Sequence, residues 1–326
     1  MNTRRKLVIA MGAGALVPLV SFAQSKPAPI EIAWLASRSR ESSDSTLIPF
    51  KEGLAALGLK SPQILIEERW ADGHYDRLPA LAAELAARKP AVIVAAGGHA
   101  VAAAARAAPR IPIVAVGTSD PVAAGFAASL ARPGGMITGV TNMTTDISGK
   151  FLELLLDARP KLKRVGFFVN SSNLNYALQM KAAKVSVARF KVEARFAEVN
   201  RPEEIDAAIA KMAKDGVQAL VVMASSLFVT ERRRILALAL ARRWPTIAGN
   251  REFADVGALL TYSADTVFMH RRAAYYVDRI LRGAKPGELP VEQPTTFELV
   301  LNMKTVKALG LKVPQSILIQ ATKVIE

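Results

Sequence analysis

The sequence predicts an α/β protein of two doubly wound lobes with parallel sheets, and three observations lead there. Between Ala91 and Asn142, short apolar runs alternate with alanine-rich helical segments across turns of glycine, serine and threonine. The apolar runs are unbroken, as buried parallel strands are, and crossovers between such strands are usually helices. The same rhythm restarts at Lys163 and continues towards the end of the chain.

Taken in order, Ile30–Ala36 reads as the first strand, followed by a polar loop carrying Ser37, Ser39, Ser42 and Ser43. Leu47, Phe50, Leu54 and Leu57 share one helical face, and Gly58 stops that helix. Gln63–Trp70 is the second strand, and Leu78, Leu81 and Leu85 mark the inner face of the next helix. Ala91–Ala96 is a strand ending at Gly97-Gly98, Ala100–Ala108 a helix, and Ile111–Val116 a strand ending in Gly117-Thr118-Ser119. Asp120-Pro121 is expected to open a helix that runs to Pro133-Gly134-Gly135, since aspartate caps and proline suits the first helical position. A further strand follows, then a long helix over Thr144–Ala158.

In the second half, Arg164–Val169, Val192–Val199, Ala219–Met223, Thr246–Ala248, Ala258–Thr261 and Thr296–Leu301 read as strands. Pro202 with Glu203 and Glu204 opens a helix whose dipole favours those charges. A long helix spans roughly Thr266–Leu281, and Met303–Leu309 closes the chain before Gly310. Residues 30–143 form the expected first lobe, 144–262 the second, and 263–326 hinge crossovers and closing elements shared by both. Residues 1–23 have Arg4, Arg5 and Lys6, an apolar core and Ser21-Phe22-Ala23, the pattern of a cleavable secretory signal peptide, with 24–29 as linker.

The chain has 326 residues, a formal charge of +15 and no cysteine. An exported chain without cysteine carries no disulfide and no lipid-anchored cysteine, so the expected location is a bacterial periplasm. The export signal argues against nucleic acid as partner, and the basic clusters Arg232-Arg233-Arg234, Arg242-Arg243 and Arg271-Arg272 read as solvated helix faces. The sequence lacks a phosphate-loop motif, a zinc-protease motif and a nucleophile elbow, since proline takes the last place of Gly117-Thr118-Ser119-Asp120-Pro121. Its three histidines, His74, His99 and His270, are far apart, so no metal or other cofactor is expected. With no acid/base pair assembled, a binder is the expectation rather than an enzyme.

Ligands of open parallel sheets lie beyond the carboxyl ends of the strands, where helix N-termini offer N–H groups. Tyr75–Leu85, the segment Asp120–Gly135 (DPVAAGFAASLARPGG), Thr138-Gly139-Val140, Arg251-Glu252-Phe253 and the tail Gln293–Val300 resemble the substrate-binding component of ABC importers, in the branch of tryptophan/tyrosine-type binding proteins. The resemblance implies a type I periplasmic binding protein: two Rossmann-like lobes, three hinge crossovers and a ligand enclosed by closure. It implies a membrane permease and its ATPase as partners and no catalysis. Free closure of the lobes leads to the expectation of a monomer. A sensory subunit that reports occupancy to a membrane receptor is the alternative on the same fold.

Within that frame, Gly97, Gly98, His99, Thr118 and Ser119 are expected to hold a carboxylate or other polar end of a ligand, with Ser37 and Asn142 beside them. Asn170, Ser172, Asn173, Ser225 and Asn250 face the cleft from the second lobe. Asp120 and Asp265 either pair with an ammonium or cap the helices they precede. Tyr262 or Trp34 either stacks on a flat ligand or packs in the core.

Overall fold

The computed structural model describes residues 28–41 and 44–326. The expected signal peptide and most of the linker lie outside the described residues, as do Ser42 and Ser43. The first sheet contains β1 (Ile30–Ala36), β2 (Ile64–Trp70), β3 (Val92–Ala96), β4 (Ile113–Thr118) and β5 (Ile137–Thr141) in the order β2-β1-β3-β4-β5, all parallel. Its helices are α1 (Asp44–Ala56), α2 (Leu78–Ala87) and α3 (Gly98–Ala107).

The chain then enters the second lobe through α4 (Thr144–Ile147) and α5 (Gly149–Ala158). There follow β6 (Arg164–Val169), α6 (Tyr176–Phe190), β7 (Glu193–Glu198), α7 (Ile205–Lys214), β8 (Ala219–Val222), α8 (Ser226–Thr230), α9 (Arg232–Ala241), β9 (Thr246–Ala248) and β10 (Leu260–Ala264). Next, α10 (Thr266–Leu281) returns to the first lobe, and β11 (Phe297–Asn302), α11 (Met303–Leu309), α12 (Gln315–Gln320) and β12 (Lys323–Ile325) complete the second. The second sheet runs β12-β11-β10-β9-β8-β6-β7. All its pairs are parallel except β10 with β11.

Adjacent residues of a strand face opposite sides of a sheet, so an unbroken apolar run feeds two layers at once. Ile32, Trp34 and Ala36 of β1 pack with Phe50 of α1 and Ala273 of α10, while Ala33 and Leu35 pack with Leu78 of α2 and Val101 of α3. The second sheet divides in the same way, with Phe167 and Val221 towards α5 and Phe168 and Val222 towards α7 and α9. Trp34 is fully buried, its ring 5.2 Å from that of Phe50. It is therefore a core residue and not a platform for a ligand.

Several expectations are corrected. The segment after Asp120-Pro121 makes turns, not a helix, so β4 and β5 are joined without one. Gly125 takes φ +73°, and the N–H groups of Phe126 and Ala127 both reach the Pro121 carbonyl. The remaining backbone is claimed elsewhere: Gly134 N–H donates to Gly287, and Leu130 accepts from Val291. Helix propensity is a weak prior beside such tertiary pairing. The expected helix over Thr144–Ala158 divides at Ser148. Tyr262 and Ser263 lie inside β10, not in the turn after it, and α12 and β12 were not foreseen.

Phe151 of α5 is fully buried, and a Cβ on Gly249 would sit 2.8 Å from its ring. Phe151→Ala is expected to cost about 3–5 kcal/mol. Calorimetry should show a Tm lower by roughly 6–10 °C; a loss of under about 2 °C would mean that the lobe is not packed around this ring.

Candidate ligand-binding cleft

In each sheet the strand order reverses once, between β1 and β3 in the first and between β6 and β8 in the second. Crevices open at such reversals. Ser37 and Gly97 stand at the first, and Asn170–Asn173 and Ala224–Ser226 at the second. The two edges enclose a cavity of about 100 Å³.

Of the residues expected to meet a ligand, Gly97, Gly98, His99, Ser119, Asn142, Asn173, Ser225 and Asn250 line this cavity. Gly97 has φ +98°, open to a residue without a side chain, and precedes the first free N–H groups of α3. Ser37 and Thr118 flank it at the ends of β1 and β4, buried, and neither hydroxyl has a partner among the described residues. Ser37 Oγ would lie 3.2 Å from a Cβ placed on Gly97.

The other expected residues serve the walls. Asn170 is buried, donates to Ser225 Oγ at 3.2 Å and accepts from Ser172 N–H at 2.9 Å. Ser172 bonds Asn200 and stands outside the cavity lining. Asp120 accepts from the N–H groups of Val122 and Ala123, and Asp265 from that of Phe268, so both cap local structure. Tyr262 packs 5.9 Å from Phe297, because one step along β10 places Ser263 at the cavity and its neighbour on the opposite face.

The lobes are closed on one another. The Tyr75 hydroxyl meets Ser225 Oγ at 3.2 Å, and His99 Nε2 lies 2.8 Å from the Ser172 carbonyl. Their rings stack at 3.9 Å, so one aromatic pair of the first lobe bonds the second lobe twice. Burial raises the Tyr75 pKa. Burial also lowers that of His99, against the opposing pull of the Ser172 carbonyl, so His99 is neutral and donates through Nε2. Ser39 N–H reaches Thr230 Oγ1, and the Arg38 guanidinium pairs with Glu252 of the other lobe. Burial disfavours charge on Glu252, but Arg38, a hydrogen bond from its own backbone and nearby Arg232 outweigh it and hold the carboxyl below its ordinary range.

Sequence reasoning did not assign Arg38, Tyr75, Gln179, Ser263 or His270 to the site, yet all line the cavity. Tyr75 and Glu252 were visible only as parts of longer motifs. His270 Nδ1 lies 2.7 Å from the Thr266 carbonyl, one helical turn back, and must donate to it. Its Nε2 is then an acceptor, and the ring is buried at 4% exposure.

This is the architecture of a two-lobed receptor that closes on a small molecule. The family model described as ABC transporter substrate binding protein matches residues 31–325, and the chain belongs to that family. It is a family of solute-binding receptors, and the chain is not an enzyme. A tyrosine-binding protein of Clostridioides difficile (strain R20291) is 27% identical over 202 residues, 62% of this chain and 58% of that protein. The match thus spans less than two thirds of the relative. Among solved structures, an ABC domain from Streptococcus pneumonia in complex with L-Trp has a TM-score of 0.83 and 24% identity, over 91% of this chain and 100% of that one. A ligand-free, open substrate-binding protein with adhesive properties from Clostridium difficile has a TM-score of 0.64 at 24% identity, over 90% and 99%. A conserved domain protein from Vibrio cholerae gives 0.84 and 22%, over 90% and 99%. Among the described residues, no helix is long and apolar enough to cross a membrane, and no group of side chains is arranged to hold a metal ion.

Burial lowers the His270 pKa to about 4, against the pull of the Thr266 carbonyl. The unfolded chain titrates near the ordinary value of 6.5, so this neutral histidine contributes full stability above that pH, and the contribution is lost as pH falls towards 4. Between pH 7 and 4.5 the loss should be about 2–3 kcal/mol. His270→Gln should flatten that part of a denaturation profile; an unchanged slope would place the titration elsewhere.

Proposed function

We propose that the protein is the receptor of an ABC importer: it encloses a small polar ligand, an amino acid or a related small carboxylate, between its lobes and presents it to a membrane permease coupled to an ATPase. The observation that carries this reading is the cavity at two facing switch points, sealed by hydrogen bonds from one lobe to the other. A carboxylate fits the first lobe's edge, where the N–H groups that begin α3 at Gly98 and His99 face the cavity, with the buried hydroxyls of Ser37 and Thr118 behind the lining. Ser119 and Asn142 extend that edge, bonded to each other at 3.3 Å. From the second lobe, Asn250 lines the cavity beside Asn173 and Ser225, both already committed to wall contacts. His270 Nε2 and Ser263 Oγ supply acceptors for an ammonium. The relatives named for tyrosine and bound to L-Trp support an amino acid as cargo. The basic, apolar amino terminus supports export to the periplasm.

Thermal-shift screening of the chain against the common amino acids tests the reading. A true ligand at a hundredfold excess over its Kd should add about 2.7 kcal/mol and be recovered chemically unchanged. No shift with any amino acid would overturn the assignment of cargo, and consumption of a compound would overturn the receptor role. Tyr75→Phe, which deletes a closure bond without touching the fold of either lobe, should weaken the ligand that scores by about fivefold, the worth of roughly 1 kcal/mol, with Tm of the free protein unchanged. Equal affinity would remove Tyr75 from closure.

A further inference from the structure

Among the described residues lining the cavity, Arg38 is the one with a formal charge, and it is not free. It follows β1 in the first lobe, while its partner Glu252 lies in the segment after β9 in the second, 214 residues away. The Glu252 side chain keeps 8% of its surface exposed and that of Arg38 21%. The two histidines at the wall add no charge, since burial holds both His99 and His270 neutral. The other polar groups there are amides, hydroxyls and backbone N–H groups. Arg232 stands beside the pair, with Arg233 and Glu41 near it in turn, and none of the three contributes surface to the cavity.

We propose that the Arg38–Glu252 pair sets the charge specificity of the site: closure consumes the wall's cation, so the closed cleft accepts ligands of zero net charge, zwitterionic or neutral, and rejects anions. The proposal rests on the receptor reading of this cavity but not on the choice of an amino acid as cargo. An ion of either sign enclosed here would meet no free counter-charge, and a buried charge without a partner is strongly disfavoured. A zwitterion differs, because its two ends are met separately, by the α3 N-terminus and by the lone pairs of His270 and Ser263. An anion that captured Arg38 would strand Glu252, whose second oxygen already lacks a partner.

The test uses matched compounds: an amino acid with its deaminated acid and decarboxylated amine, a nucleoside with its monophosphate, and a polyol with its sugar acid. On any scaffold that binds, the anionic member should be at least about tenfold weaker than the member without net charge, and Glu252→Gln, which releases Arg38, should narrow or reverse that ratio. Equal binding of the anion by the unmodified protein, or an unchanged ratio in Glu252→Gln, overturns the proposal. Binding by nucleoside or polyol but no amino acid refutes the cargo assignment and supports the charge rule. Small-angle scattering of the ligand-free protein decides the matter if no compound binds. Glu252→Gln should raise the radius of gyration, and the exchange Arg38→Glu with Glu252→Arg should restore it. An unchanged radius in Glu252→Gln would show that the pair does not bridge the lobes, and the proposal falls with it.

Discussion

The closed cleft depends on the packing of α10 against α1. A helix that follows the second lobe in sequence is built into the core of the first, with Ala273, Ala274 and Tyr276 among its buried residues. The approach is close enough that a Cβ on Gly53 would stand 2.8 Å from Ala274 Cβ and 3.1 Å from the Arg271 carbonyl. Overpacking of that kind disrupts a core, so glycine is the residue that lets the chain return here. The return forces further crossings, and the next is pinned beside β5. Arg272 grips Glu292 through two bonds of 2.6 and 2.7 Å, while the Glu292 backbone pairs with Gly139 and Thr141. Three strands of chain between the lobes restrict them to opening and closing about one line.

That restriction gives the strand ends their meaning. Residues at the carboxyl edge of one sheet meet a fixed counterpart on the other, so a serine or tyrosine there has a defined partner in the closed form. Ser225 shows it best: it takes Asn170 from its own lobe and Tyr75 from the other. The aromatic pair of Tyr75 and His99 spans from lobe to lobe because stacking aligns both polar tips towards the second sheet.

The sheets were legible in the sequence because buried parallel strands leave runs such as Val92–Ala96 and Ala219–Val222 that few other structures require. The strand ends were legible for the same reason, and Gly97, Ser225 and Asn250 follow directly from them. Partners from lobe to lobe were not. Nothing local to Arg38 or Glu252 tells of the other, and their meeting depends on the α10 return. His270 sits one turn inside a helix whose sequence is dominated by its basic and apolar residues, so no local pattern marks it as part of a cavity. The segment after Asp120 misled for a different reason: its alanines favour a helix, but one glycine at positive φ and the hydrogen bonds to residues 287 and 291 decide against it. Tyr262 misled by a single residue, since the strand runs on to Ala264 instead of ending at Thr261, and within it Ser263 faces the cleft while Tyr262 faces the core.

Closure is finely balanced. The hydrogen bonds of Tyr75, His99 and Ser39 from lobe to lobe are worth about 1 kcal/mol each net. The intact Arg38–Glu252 pair adds little net, because stripping water from both ions offsets most of their attraction. Removing one partner instead strands the other charge and costs about 3–5 kcal/mol. At the wall, the Ser263 hydroxyl is buried without a protein partner, and a buried hydroxyl left unsatisfied costs about 1–3 kcal/mol. The protein's own contacts from lobe to lobe are thus few and individually small, and a ligand that satisfies the polar wall adds to them. A molecule can shift a two-state equilibrium only by its differential affinity for the two states. Here that difference is large by construction, since the polar groups of the wall converge only when the lobes are shut. The same polar edge that a ligand satisfies is what makes closure report it.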